Sequence, residues 1–152
     1  MNIQFTTKPY LPALVVSVVL LIMFFLPWVT ASAGSVSESD NGTAYGWGYL
    51  TLIMSILGVL LSFVTPQKMR AMGLMGAGLL ALIGVIVYWL RMHGDAVLYG
   101  VEDFVSPGFG LYIAGIAALA AIVIGIMDLR QPVQPSQPPP ANPPAPPPPP
   151  QQ

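Results

Sequence analysis

Cysteine is absent from the 152 residues, which excludes a disulfide framework, a thiolate metal site and a cysteine nucleophile together. Charge is nearly absent as well. Five Lys or Arg and six Asp or Glu make up 7% of the chain, where a soluble domain carries roughly a quarter. So few charges cannot wet a domain of this length. With 55% hydrophobic residues and a mean hydropathy of +0.71, the expected solvent for most of the chain is a lipid bilayer. A net charge of -1 gives no basic field, so nucleic acid is not an expected partner.

The charges are confined to Lys8, Glu38, Asp40, Lys68, Arg70, Arg91, Asp95, Glu102, Asp103, Asp128 and Arg130. A helix needs about 20 apolar residues to cross a hydrocarbon layer of about 30 Å. Four runs between the charges meet this requirement or nearly so: about 11–30, 49–65, 71–90 and 108–127. Pro12 opens the first, Pro66 stops the second and Pro107 precedes the fourth. Unpaired backbone groups are intolerable in hydrocarbon and no period-2 alternation marks the runs, so helices are expected rather than a barrel. The expected fold is an all-α four-transmembrane-helix bundle over residues 1–130, followed by a disordered proline-rich tail over 131–152.

Lys8, Lys68, Arg70 and Arg130 fall on one side of such a bundle, and five of the six acidic residues fall on the other with Arg91. The positive side is expected to be cytoplasmic, which places both termini inside. Trp28, Trp47 and Trp89 lie at the outer ends of their spans and are expected to be interface anchors. A competing reading takes residues 1–33 as a cleaved secretory signal, with Ala31-Ser32-Ala33 at the cleavage site. Its apolar run is long for a signal and further spans follow. An intact mass well below 16.2 kDa would establish cleavage.

The two halves rhyme. Gly46-Trp47-Gly48 opens span two, and Gly108-Phe109-Gly110 opens span four. Each half reads as a helical hairpin, and the pair as a parallel repeat. Of the outer loops, Ala31 to Thr43 is expected to be flexible, while Ala96 to Val105 reads as a short interfacial helix. Asn41-Gly42-Thr43 matches a glycosylation sequon, which has meaning only in a secretory pathway.

Small residues mark helix contacts in lipid. Gly73, Ala77 and Ala81 recur every four residues in span three, as do Gly110, Ala114 and Ala118 in span four, with Ala121 and Gly125 on a second stripe. Spans three and four are therefore expected near the bundle centre. Either the stripes pack within the chain or one of them meets a partner subunit.

Catalytic patterns are missing. No ionisable residue falls inside an expected span, which argues against proton coupling, and Asp128 and Arg130 are placed just beyond span four, where snorkelling or a local ion pair explains them. His93 is the lone histidine and cannot supply both ligands of a bis-histidine haem, though a contact to haem, pigment or quinone beside Met92 is chemically open. Gly73, Gly76 and Gly78 spell a glycine pattern without the soluble strand that a phosphate cradle needs. Neither enzyme activity nor a cofactor or metal is expected.

The last 22 residues hold twelve Pro, five Gln and no charge. Such a segment favours solvated polyproline II, reaching on the order of 70 Å at about 3.1 Å per residue. Pro132 and Pro135 form a P-x-x-P after Arg130, and Pro146 to Pro150 is an unbroken run. These are candidate docking positions for a cytoplasmic reader of proline-rich segments.

Phe25-Leu26-Pro27-Trp28 closing span one, together with the Gly-aromatic-Gly opening of span two, resembles small four-span integral membrane proteins of bacteria, many without an assigned function. The resemblance covers about Leu11 to Arg130, implies the bacterial inner membrane and carries over no functional residues. The arrangement is superficially similar to the tetraspan claudin family, but the chain lacks the cysteine pair and the full tryptophan motif of that family's first outer loop. The expected role is a non-catalytic scaffold or accessory subunit of a larger membrane complex. The alternatives are an oligomeric channel or transporter component, and a subunit contacting a cofactor near His93.

Overall fold

The computed structural model describes residues 5–33, 35–64 and 66–131. Pro132, Pro135, Pro146 and Pro150 lie outside them. Among the described residues there are four helices: α1 (Leu11–Phe24), α2 (Gly46–Leu61), α3 (Gln67–Leu98) and α4 (Phe109–Arg130). Two of them, α3 and α4, are long and apolar enough to cross a membrane, whereas α1 and α2 are apolar but shorter.

Pairwise contacts run antiparallel around a ring. Ser17 of α1 faces Gly58 of α2, and Thr51 of α2 reaches Ala81 of α3 with a hydroxyl hydrogen bond of 3.4 Å. Ala118 and Ala121 of α4 flank Gly78 of α3, and Gly110 at the start of α4 abuts Pro27 just after α1. Each helix thus has two principal neighbours, with the broadest contact between α3 and α4. No pair of helices occupies a centre, contrary to the expectation for spans three and four, because four helices with small inward residues close around one narrow core.

Three short strands join the helices at one end. β1 (Val29–Ala33), β2 (Val36–Asp40) and β3 (Val105–Pro107) form an antiparallel sheet in the order β2-β1-β3. The Ala31 to Thr43 loop is therefore largely a hairpin rather than a flexible link. In its register Thr30 pairs with both Ser39 and Ser106, and Ala31 pairs with Glu38 and Val105. The first apolar run stops being helical at Phe24 because its last residues are taken by this sheet: Trp28 N–H donates to Asp40 O at 2.8 Å, and Gly108 N–H to Trp28 O at 2.8 Å.

The segment expected as an interfacial helix also differs. Helix α3 continues past Leu90 through Arg91, His93 and Asp95 to Leu98, about 12 Å beyond the expected span. Gly100 then adopts φ +66°, a left-handed conformation suited to glycine just past a helix end. The chain returns through β3. One connection is thus a hairpin and the other a helix extension plus a strand, so the two halves differ in what caps them.

At the opposite end, the segment before α1 is stitched to the α2–α3 connection. Thr6 N–H donates to Phe63 O at 2.9 Å and Tyr10 N–H to Ser62 O at 2.8 Å.

Candidate functional site

The capped end gathers most of the polar chemistry over an aromatic core. Trp28 is fully buried, its indole N–H donating to Met23 O at 2.7 Å. This corrects its expected role as an interface anchor: the strand that follows it turns the ring inward. Trp47 and Trp89 are each 43% exposed. The Tyr88 ring packs edge-on between Trp28 and Tyr45, with centroids 4.8 and 5.0 Å away. Its hydroxyl donates to Asn41 O at 3.1 Å, tying α3 to the turn after β2. Tyr88→Phe keeps the ring and leaves that carbonyl without its donor, so it is expected to cost about 1 kcal/mol, read as a lowered melting temperature.

Beside this core, a cavity of about 410 Å³ lies between one face of the sheet and the extension of α3. Glu38 and Asp40 line it from the sheet, Asp95 and Tyr99 from α3, and Tyr45 from the turn, with Val29, Met92 and Ala96 as apolar wall. Burial, and after it the neighbouring Asp95 carboxylate, hold the Tyr45 hydroxyl proton more firmly than usual. The cavity's electrostatics disfavour anions. Among the described residues, no group of three or more His, Asp or Glu has the geometry of a metal site.

His93 stacks on Trp89 at 5.9 Å with nearly parallel rings. The two are one helical turn apart on α3, at the rim of the bundle.

Of the small residues singled out in the sequence, Ala77, Ala81, Ala114, Ala118 and Ala121 are buried within the chain's own core. Gly110 and Gly125 are buried as well, and Gly73 is half-buried against Leu61. Both stripes of α4 are occupied internally, so neither is free to meet a partner.

Asp128, expected just beyond span four, is held by a partner the sequence did not name. It lies within α4 and is fully buried, and both its carboxylate oxygens accept hydrogen bonds from Arg70, each at 2.9 Å. Neither residue alone signals this. The pairing depends on α3 and α4 being antiparallel neighbours.

No family model, curated protein or solved structure matches the chain.

Proposed function

We propose that the chain is a non-catalytic integral membrane protein whose four helices all cross the bilayer, holding a folded cap on the outer side and serving as a scaffold or accessory subunit. The supporting observation is the exposure of large apolar side chains on every helix. A soluble bundle buries its large apolar residues and exposes charge. Here the outward faces carry large apolar residues, with Val15, Ile22, Ile53, Leu60, Leu79, Ile83, Ile116 and Val123 exposed, while Ala13, Ser17, Ala81, Ala114 and Ala118 lie inside beside Leu20, Phe24, Leu74 and Tyr88. Exposed apolar residues occur on all four helices. Small residues at the helix contacts and large apolar ones facing outward suit a solvent as apolar as leucine. The two shorter helices gain length from apolar residues at their ends, Phe25 and Leu26 after α1 and Phe63 and Val64 after α2.

The positive residues put the cap outside and both termini in the cytoplasm. On the resemblance to small four-span bacterial proteins, the membrane is the bacterial inner membrane. The cap is the part with specific shape and polar character, and it is the surface offered to other subunits.

The native chain has no cysteine, so single-cysteine variants test this directly. A membrane-impermeant maleimide is expected to label Ser37→Cys on intact cells, to label Gln152→Cys only after permeabilisation, and to spare Ile83→Cys in both. Ready labelling of Ile83→Cys would remove the membrane reading. Exchange of the first two patterns would reverse the orientation. For the scaffold role, purification in mild detergent is expected to retain foreign subunits, and a purely homomeric species would count against it.

A further inference from the structure

The sheet's second face has an unusual composition. Register and alternation place Ser39, Thr30 and Ser106 in one row across the three strands, with Ser37 and Ser32 in the next. Four of these five residues are exposed and Thr30 is half-buried. The solvated face of an antiparallel sheet ordinarily carries charge. This one carries hydroxyls alone, spaced about 4.8 Å between strands and about 7 Å along them. Each hydroxyl donates once and accepts twice, and Thr30 Oγ1 and Ser106 Oγ already lie 2.9 Å apart.

Ser39 also borders a separate cavity of about 220 Å³. Phe25, Pro27, Asp40, Asn41 and Thr43 complete its lining. Asn41 Oδ1 accepts from Thr43 N–H at 2.9 Å and from Thr43 Oγ1 at 2.6 Å. This fixes the amide and leaves its NH2 donors and the threonine lone pairs for another group. The Phe25 ring is 62% exposed and ends an outward apolar stripe of α1 that runs through Leu11, Val15, Val18 and Ile22.

We propose that this cavity, with the hydroxyl face that continues from it, binds the sugar headgroup of a neutral glycolipid. The inference rests on the membrane reading, which puts Phe25 at the outer surface of the bilayer. A sugar ring needs polar groups that both donate and accept around its rim, together with an apolar surface for its C–H face. Ser39, Asn41 and Thr43 supply the first from the cavity's almost wholly polar lining, and the exposed Phe25 ring at its edge supplies the second. The α1 stripe gives the hydrocarbon chains a track leading away from the cavity. Charge selects the class: the Asp40 carboxylate in the lining repels phosphate headgroups, and Arg91 is the sole Lys or Arg near the cap among the described residues.

The test reconstitutes the full chain into phosphatidylcholine nanodiscs doped with monoglucosyl diacylglycerol, phosphatidylglycerol or phosphatidylethanolamine, and counts retained lipids by native mass spectrometry. The glucolipid is expected to be retained over all three phospholipids. Ser39→Ala and Phe25→Leu are each expected to lower that preference about 3- to 10-fold, with melting temperatures like wild type, while Leu119→Val on the other side of the bundle leaves it unchanged. Equal retention of glucolipid and phosphatidylcholine overturns the proposal, as does an unaltered preference in both variants. A preference for phosphatidylethanolamine that disappears in Asp40→Asn overturns it in favour of an ammonium ligand. Binding of soluble glucose oligosaccharides without glucolipid retention overturns the membrane-tethered source. Failure of the chain to float with lipid at all is a separate outcome, and it removes the membrane reading on which the proposal stands.

Discussion

Arg70→Ala is expected to lower stability by about 3–5 kcal/mol, because it leaves a carboxylate buried without its partner. The Asp128 side chain is 1% exposed, while that of Arg70 is 15% exposed. Both carboxylate oxygens depend on the one guanidinium, whose Nε and Nη2 each donate at 2.9 Å. The same guanidinium lies 4.3 Å over the Tyr10 ring, and Gln67 Nε2 donates to Asp128 O at 2.6 Å. One cluster thus holds together the segment before α1, the start of α3 and the last turn of α4. Asp128→Ala is expected to cost less, since Arg70 keeps its aromatic contact and some access to water. Arg70→Lys falls between, because an ammonium cannot reproduce the two-pronged contact. Arg70→Met combined with Asp128→Leu removes both charges and is expected to recover most of the loss. Denaturation midpoints in a single detergent decide among these. A single Arg70→Ala no worse than Asp128→Ala would mean that water reaches the carboxylate and that burial is not what makes the pair matter.

Legibility in the sequence followed the range of the interactions. Pro12 in the first turn of α1, Pro66 at the start of α3 and Pro107 before α4 act locally, and the helices begin where these residues allow. The paired Gly-aromatic-Gly segments were readable for the same reason, and they open α2 and α4. Asp128 reads as lying at the end of the fourth run beside a local ion pair, and its actual partner is not legible. Its burial depends on a residue 58 positions away, and nothing near it in the sequence carries that information.

The cap was the least readable part. Val29–Ala33 and Val36–Asp40 contain mostly small and hydroxyl-bearing residues with little intrinsic strand preference. Their pairing is imposed from outside, by Asp40 O and Trp28 O accepting from Trp28 and Gly108, and by β3, which arrives more than 60 residues later. Once β1 is fixed, Trp28 has no choice but the interior. The hydroxyl face and the cavity beside it exist only through register. A serine-rich loop and a serine-faced sheet have the same composition, and strand pairing alone separates them.

Gly48→Ala is the second change with a large expected effect, about 3 kcal/mol or more, above the usual range for an added methyl group in a core because backbone opposes it. A Cβ at Gly48 would run into the carbonyl of Gly42. That carbonyl cannot retreat easily. Gly42 N–H donates to Phe24 O at 3.0 Å, and the Phe24 ring would stand 2.6 Å from a Cβ on Gly42 itself, so the turn is held from behind by the end of α1. Relief has to come from moving the start of α2, which carries Tyr45 away from Tyr88 and loosens the aromatic core under the cap. Gly46→Ala, two residues earlier, meets nothing within 4 Å and is expected to be neutral. Gly76→Ala on the outward face of α3 also meets nothing, and it should stabilise by up to about 1 kcal/mol through helix propensity. Melting temperatures of the three variants, with tryptophan fluorescence reporting on Trp28, separate close approach from flexibility. If Gly48→Ala melts like Gly46→Ala with unchanged fluorescence, the junction between α2 and the turn is loose, and the cap is not rigidly seated on the bundle. If only Gly48→Ala collapses, the second glycine of the motif is required for close approach of two backbones, and the aromatic residue between the glycines is free to serve the surface.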